Sequence, residues 1–99
     1  MENKDASDEV ELLYYAIRAI EQGKISKELI RRVYELKMLV YEGIYKTSNK
    51  LNTDNEVIKY TWDFVVNTPS NKLFSFILND DVENKFNELV MKEMIENMN

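Results

Sequence analysis

The chain reads as all-α: four to five helices in a small antiparallel bundle, with the second helix at its centre. Three observations carry this reading. Apolar residues recur every three or four positions along most of the sequence. Residues that cap helices precede these stretches, and glycine or polar connectors follow them. The second stretch is apolar around so much of its circumference that neighbours should surround it.

Residues 1–7 are expected to be a flexible acidic tail, and residues 8–97 a single helical domain. Ser7 can cap a first helix over 8–22, with Asp8 and Glu9 where negative charge meets the positive end of the helix dipole. Val10, Leu13, Tyr14, Ile17 and Ile20 form its main apolar face, with Leu12, Tyr15 and Ala19 opposite, and Gly23 is a natural stop.

Ser26 caps a second helix over about 27–47. Leu29, Val33, Leu36, Val40 and Ile44 make one seam with coiled-coil spacing. Ile30, Tyr34, Met38, Tyr41 and Tyr45 make a second seam, and Lys37 alone interrupts the two. The remaining polar stripe, with Glu28, Arg31, Arg32, Glu35 and Glu42, is narrow. Such a helix is central to a bundle, or it shows one of its seams to another chain.

Thr53 with Glu56 has capping-box spacing and predicts a third helix from about 54. Residues 58–66 also alternate like a strand, so the competing expectation is an α+β fold with a β-hairpin at about 56–78. The helical reading is favoured because Ile58, Thr61, Trp62 and Val65 share a helical stripe, and Thr68-Pro69 resembles a cap followed by proline in the first turn. A short helix over 69–78 would turn Leu73, Phe74 and Ile77 inward. Asp80 and Glu83 then open a last helix over 81–96, with Val82, Phe86, Leu89, Val90 and Met94 on its apolar face and Met91, Ile95 and Met98 away from it.

Composition narrows the chemistry. The 99 residues include neither cysteine nor histidine. This removes thiolate nucleophiles, structural zinc sites and the usual general base. No P-loop, dinucleotide fingerprint or nucleophile elbow is present. Asp80, Asp81 and Glu83 could offer oxygen ligands to a cation, but capping already accounts for carboxylates at a helix start. The expectation is a protein that is not an enzyme and needs no cofactor.

The net charge of −5 is uneven: 1–11 and 51–99 are acidic, while 12–50 are basic. The expected partner is another protein or a second copy of the chain, in a larger complex or a homo-oligomer. Tyr34, Met38, Tyr41 and Tyr45 would form the interface, assisted by Leu12 and Tyr15, because large amphipathic side chains dominate interfaces. The competing expectation is an accessory or inhibitory factor of a nucleic-acid machine. It would contact phosphates through Lys24, Lys27, Arg31, Lys46 and Lys50, or mimic nucleic acid through the acidic ends. Local pairing at i,i+4 (Glu28 with Arg32, Arg31 with Glu35) argues instead for a self-neutralised, solvated face. No apolar run is long enough to span a membrane, and no secretory signal is visible, so the expected location is cytoplasmic.

Overall fold

The computed structural model describes residues 7–43, 51 and 53–97. They form five helices: α1 (Ser7–Gln22), α2 (Lys27–Tyr41), α3 (Glu56–Asn67), α4 (Ser70–Leu73) and α5 (Asp80–Asn97). No strand occurs among the described residues, and the hairpin expected as the alternative over 56–78 is replaced by α3, α4 and an irregular segment.

Helix α2 packs against α1, α3 and α5, while α1 also meets α4, and α3 meets α5. The doubly apolar second helix is therefore central because its two seams face different neighbours. Leu29, Val33 and Leu36 join Ile58, Trp62 and Val65 of α3 and Phe86 and Val90 of α5 in the main core. Ile30 lies in a smaller cluster with Ala16 and Ala19 of α1, and two alanines there allow the backbones to approach closely. Two aromatic pairs meet edge to face: Trp62 with Phe86 at 5.7 Å, and Phe64 with Phe76 at 5.5 Å between ring centroids.

The helix ends follow local chemistry. Ser7, expected as the cap of α1, is its first helical residue. Gly23 takes φ +69°, which a residue without Cβ adopts at no steric cost, and its N–H bonds the Ala19 carbonyl. Ser26 caps α2 by accepting the Leu29 N–H. Helix α2 ends at Tyr41 and not near 47, because Gly43 turns the chain at φ +75° and bonds back to the Val40 carbonyl. Ile44 and Tyr45 lie outside the described residues.

Asn55, and not Thr53, caps α3 by accepting the Ile58 N–H, and Thr53 in turn accepts the Asn55 N–H. Pro69 forces Thr68 into extended backbone and ends α3. The expected helix over 69–78 is confined to Ser70–Leu73. Beyond it, Phe74, Phe76 and Leu78 are half-buried while Ser75 and Ile77 are exposed. Burial alternates with a two-residue period, and Ile77 is exposed against expectation. Asn79 caps α5 through the Val82 N–H, which frees Glu83 for another contact.

Candidate interaction surface

The two faces of α1 are reversed relative to expectation. Leu12 is 0% exposed, with Ala16 and Ala19 buried beside it. Val10, Leu13, Tyr14, Ile17 and Ile20, taken from periodicity as the main apolar face, are 41–66% exposed. Periodicity cannot say which of two apolar faces goes inside. The inner face is chosen by the small alanines, which let α1 settle against Ile30 of α2 and beside α4.

At 100° per residue, the five exposed side chains span an arc of about 120°, opposite the buried arc. They account for half of the ten exposed large hydrophobics among the described residues, so they form a stripe and not a scatter. The stripe continues into a shallow groove where Leu13, Ile17 and Ile20 face Tyr34, Lys27 and Arg31 of α2. Arg18 bends over its margin, donating to the Tyr14 hydroxyl at 3.0 Å with its guanidinium 5.7 Å from the ring centroid. Tyr15 meets Tyr14 edge to face at 5.0 Å.

The residues expected to form the interface fall elsewhere. Leu12 is a core residue and is not available at the surface. Tyr34, Met38 and Tyr41 are half-buried and pack against the core, and the Tyr41 hydroxyl reaches Ser70 at 3.1 Å. Tyr15 is half-buried, and Tyr45 lies outside the described residues. This strip of α2 is mostly spent on internal packing.

Among the expected phosphate contacts, Lys24, Lys27 and Arg31 are exposed around the start of α2, while Lys46 and Lys50 lie outside the described residues. Arg31 pairs with Glu35 at 3.4 Å. Arg32, a buried residue of α2, pairs with Glu28 at 3.2 Å and Glu35 at 3.0 Å. The basic stretch is thus largely neutralised on its own helix. No group of three metal-ligating side chains occurs among the described residues, and no described helix is long and apolar enough to cross a membrane.

Lys37 was legible only as an interruption of the apolar seams. It is buried, with its ammonium 5.2 Å from the Tyr41 ring centroid and bonded to the Val66 carbonyl at 3.0 Å. Burial pushes its pKa down, and the negative charge of Asp8 opposes that shift. A buried lysine with a lowered pKa can be a nucleophile, but here its proton is directed at a helix-end carbonyl. Its chemistry is that of a structural cap.

A second apolar area joins Val57 and Tyr60 of α3 to Ile77, over the half-buried Phe64 and Phe76. It is assembled from two elements, whereas the α1 stripe runs along one. No protein-family model, curated protein sequence or solved structure matches the chain.

Proposed function

We propose that this chain is a non-enzymatic protein–protein interaction protein, a small subunit of a larger complex or homo-oligomer, and that it docks through the outer face of α1. The observation that carries the reading is the stripe Val10, Leu13, Tyr14, Ile17 and Ile20, exposed on a helix whose opposite face already satisfies the core. A helix with a single inward duty has no folding reason to keep five large apolar side chains in water on its other side. An isolated apolar stripe at i, i+3, i+4, i+7 spacing is the pattern by which a helix enters a groove or pairs with another helix. The acidic side chains Asp8, Glu9 and Glu11 along the same helix disfavour an anionic membrane surface as the occupant.

The reading is tested by chemical crosslinking of tagged full-length chain in the cells that produce it, comparing wild type with Leu13→Asp/Ile17→Asp. Both positions are exposed, so the variant keeps its far-UV circular dichroism spectrum. Crosslinked products present for the wild type, whether with other chains or with itself, should be lost in the variant. An unchanged set of products would overturn the reading.

A further inference from the structure

We propose that the groove between α1 and the chain around α4 binds a small molecule that carries a phosphomonoester on an apolar or aromatic body. The inference does not rest on the α1 stripe, which lies on another side of the helix.

Two hollows make the groove, of about 290 and 440 Å³, and Ala19, Gln22, Phe74 and Ser75 line both. Shared walls make them continuous. Each is near the lower end of the roughly 300–1,000 Å³ range of small-molecule sites. The fold sets the walls: α1 packs on α4, and Tyr15, Arg18 and Gln22 follow one another along the flank of α1 that borders the first hollow.

Charge sets this groove apart. The chain has 18 acidic residues against 13 basic ones. Yet the charged residues lining the first hollow are Arg18 and Lys72, and the one lining the second is Lys24. No carboxylate among the described residues lines either hollow. Lys24 and Lys72 form no ion pair among the described residues, and Arg18 gives only one hydrogen bond, to the Tyr14 hydroxyl at 3.0 Å. Most of its guanidinium donors are therefore open. Like charges drawn to one concavity repel each other, and folding gains nothing from that. An anion between them turns the repulsion into attraction.

The charge count and donor set favour phosphate. A phosphomonoester carries about −1.5 to −2 near pH 7, which Arg18 and Lys72 together balance, whereas a carboxylate cancels only one of them. A guanidinium offers parallel donors to two phosphate oxygens, and an ammonium adds a point charge. Gln22 and Asn71 bring side-chain amide donors to the same hollow. The second hollow suits the body of the ligand, with Ile25, Phe74, Phe76 and Ile77 among its walls.

Nearby acids limit the length of that ligand. Glu11 stands one turn before Tyr15 on the same line of α1, and Glu21 acts on Arg18 from the stripe side. Glu83 is held by Ser26 beside Ile25, and Asp80 and Asp81 follow soon after Ile77. A strand of nucleic acid leaving the groove would meet these carboxylates. A single phosphate on a small body would not.

Titration of the full chain with phenyl phosphate, followed by amide proton–nitrogen correlation spectra at constant ionic strength, tests this. Inorganic phosphate, phenol and benzoate are the comparison probes, each taken to about 10 mM so that millimolar affinities are covered. Phenyl phosphate should give saturating shifts at the side-chain amides of Gln22 and Asn71 and the backbone of Phe74 and Ser75. It should bind at least fivefold more tightly than any comparison probe. Arg18 and Lys72 are exposed, so Arg18→Gln and Lys72→Gln should keep the far-UV circular dichroism spectrum while each weakens binding at least fivefold. Lys92→Gln, at an exposed site on α5, should bind like wild type.

Absence of saturating shifts at the groove overturns the proposal, as does equal weakening by Lys92→Gln. Benzoate binding as tightly as phenyl phosphate overturns the phosphate assignment. Inorganic phosphate binding as tightly overturns the role of the second hollow.

Discussion

The buried ammonium of Lys37 in α2 donates to the carbonyl oxygen of Val66 in the last turn of α3, 3.0 Å away. That turn has carbonyls with no intrahelical donor, and Pro69 bars the glycine-type ending that would satisfy them. A cation from a neighbouring helix serves instead, where the helix dipole favours positive charge. The cost is desolvation, which lowers the Lys37 pKa below its ordinary 10.5.

The sign of the pH effect follows. Between the lowered folded value and 10.5, the unfolded chain binds more protons than the folded one, so stability rises with pH across that window. Below the folded value the desolvation cost is fully present, and above 10.5 it is gone. Urea denaturation of the wild type and Lys37→Met between pH 7 and 10.5 measures this, and the rise should be smaller in the variant. At pH 7 we expect Lys37→Met to lie within about 1 kcal/mol of wild type, because a lost hydrogen bond offsets a relieved desolvation. Lys37→Glu sets an anion at a helix C-terminus in the interior and should cost about 3 kcal/mol or more.

Ser26 joins two helix starts. Its hydroxyl oxygen accepts the Leu29 N–H at 3.0 Å and donates to the Glu83 carboxylate of α5 at 2.7 Å. Ser26→Ala removes both contacts and should cost about 1–2 kcal/mol. Glu83→Ala leaves the cap in place and should cost less than Ser26→Ala. Thermal unfolding followed by circular dichroism ranks them. Equal losses would mean that the cap contributes nothing and the interhelical bond everything.

Trp62 and Phe86 meet edge to face in the centre of the main core, 2% and 0% exposed. Phe86→Ala opens a cavity there and should cost about 3–5 kcal/mol. Trp62 is the only tryptophan, so its emission reports the event directly. We expect a red-shifted spectrum and an earlier urea midpoint. An unshifted spectrum with full stability would place Trp62 elsewhere.

Much of this architecture was legible because α2 advertises itself. Leu29, Val33 and Leu36 on one side and Ile30 and Tyr34 on the other cannot both be served by one neighbour. The end of α2 was missed because the seven-residue seam runs on through Ile44, while Gly43 stops the helix by backbone conformation alone. The strand-like alternation over 58–66 misleads because α3 occupies those residues, its buried Ile58, Thr61, Trp62 and Val65 following the helical stripe, and no strand occurs among the described residues. The exposure of the aromatic strip of α2 was misjudged for a different reason. The aromatic strip of α2 has the composition of an interface, and Tyr41 uses that amphipathic character internally, with its ring on the core and its hydroxyl on Ser70. The alanines at 16 and 19 were the available signal for α1, since a face made of small residues is the one that can approach a neighbouring helix closely.

Leu12 and Leu13 turn this orientation of α1 into a measurement. They are chemically identical and adjacent in sequence, yet Leu12 is 0% exposed and Leu13 is 48% exposed. Leu12→Ala should cost about 2–5 kcal/mol in urea denaturation, with both lost transfer energy and a residual cavity. Leu13→Ala should change monomer stability by no more than about 0.5 kcal/mol, because alanine is an equal or better helix former at an exposed site. Measured at low micromolar protein, where association contributes least, the two variants differ mainly through the folded chain itself. Equal costs for the two alanine variants at low concentration would mean that α1 is rotated from the orientation described, with the stripe turned inward.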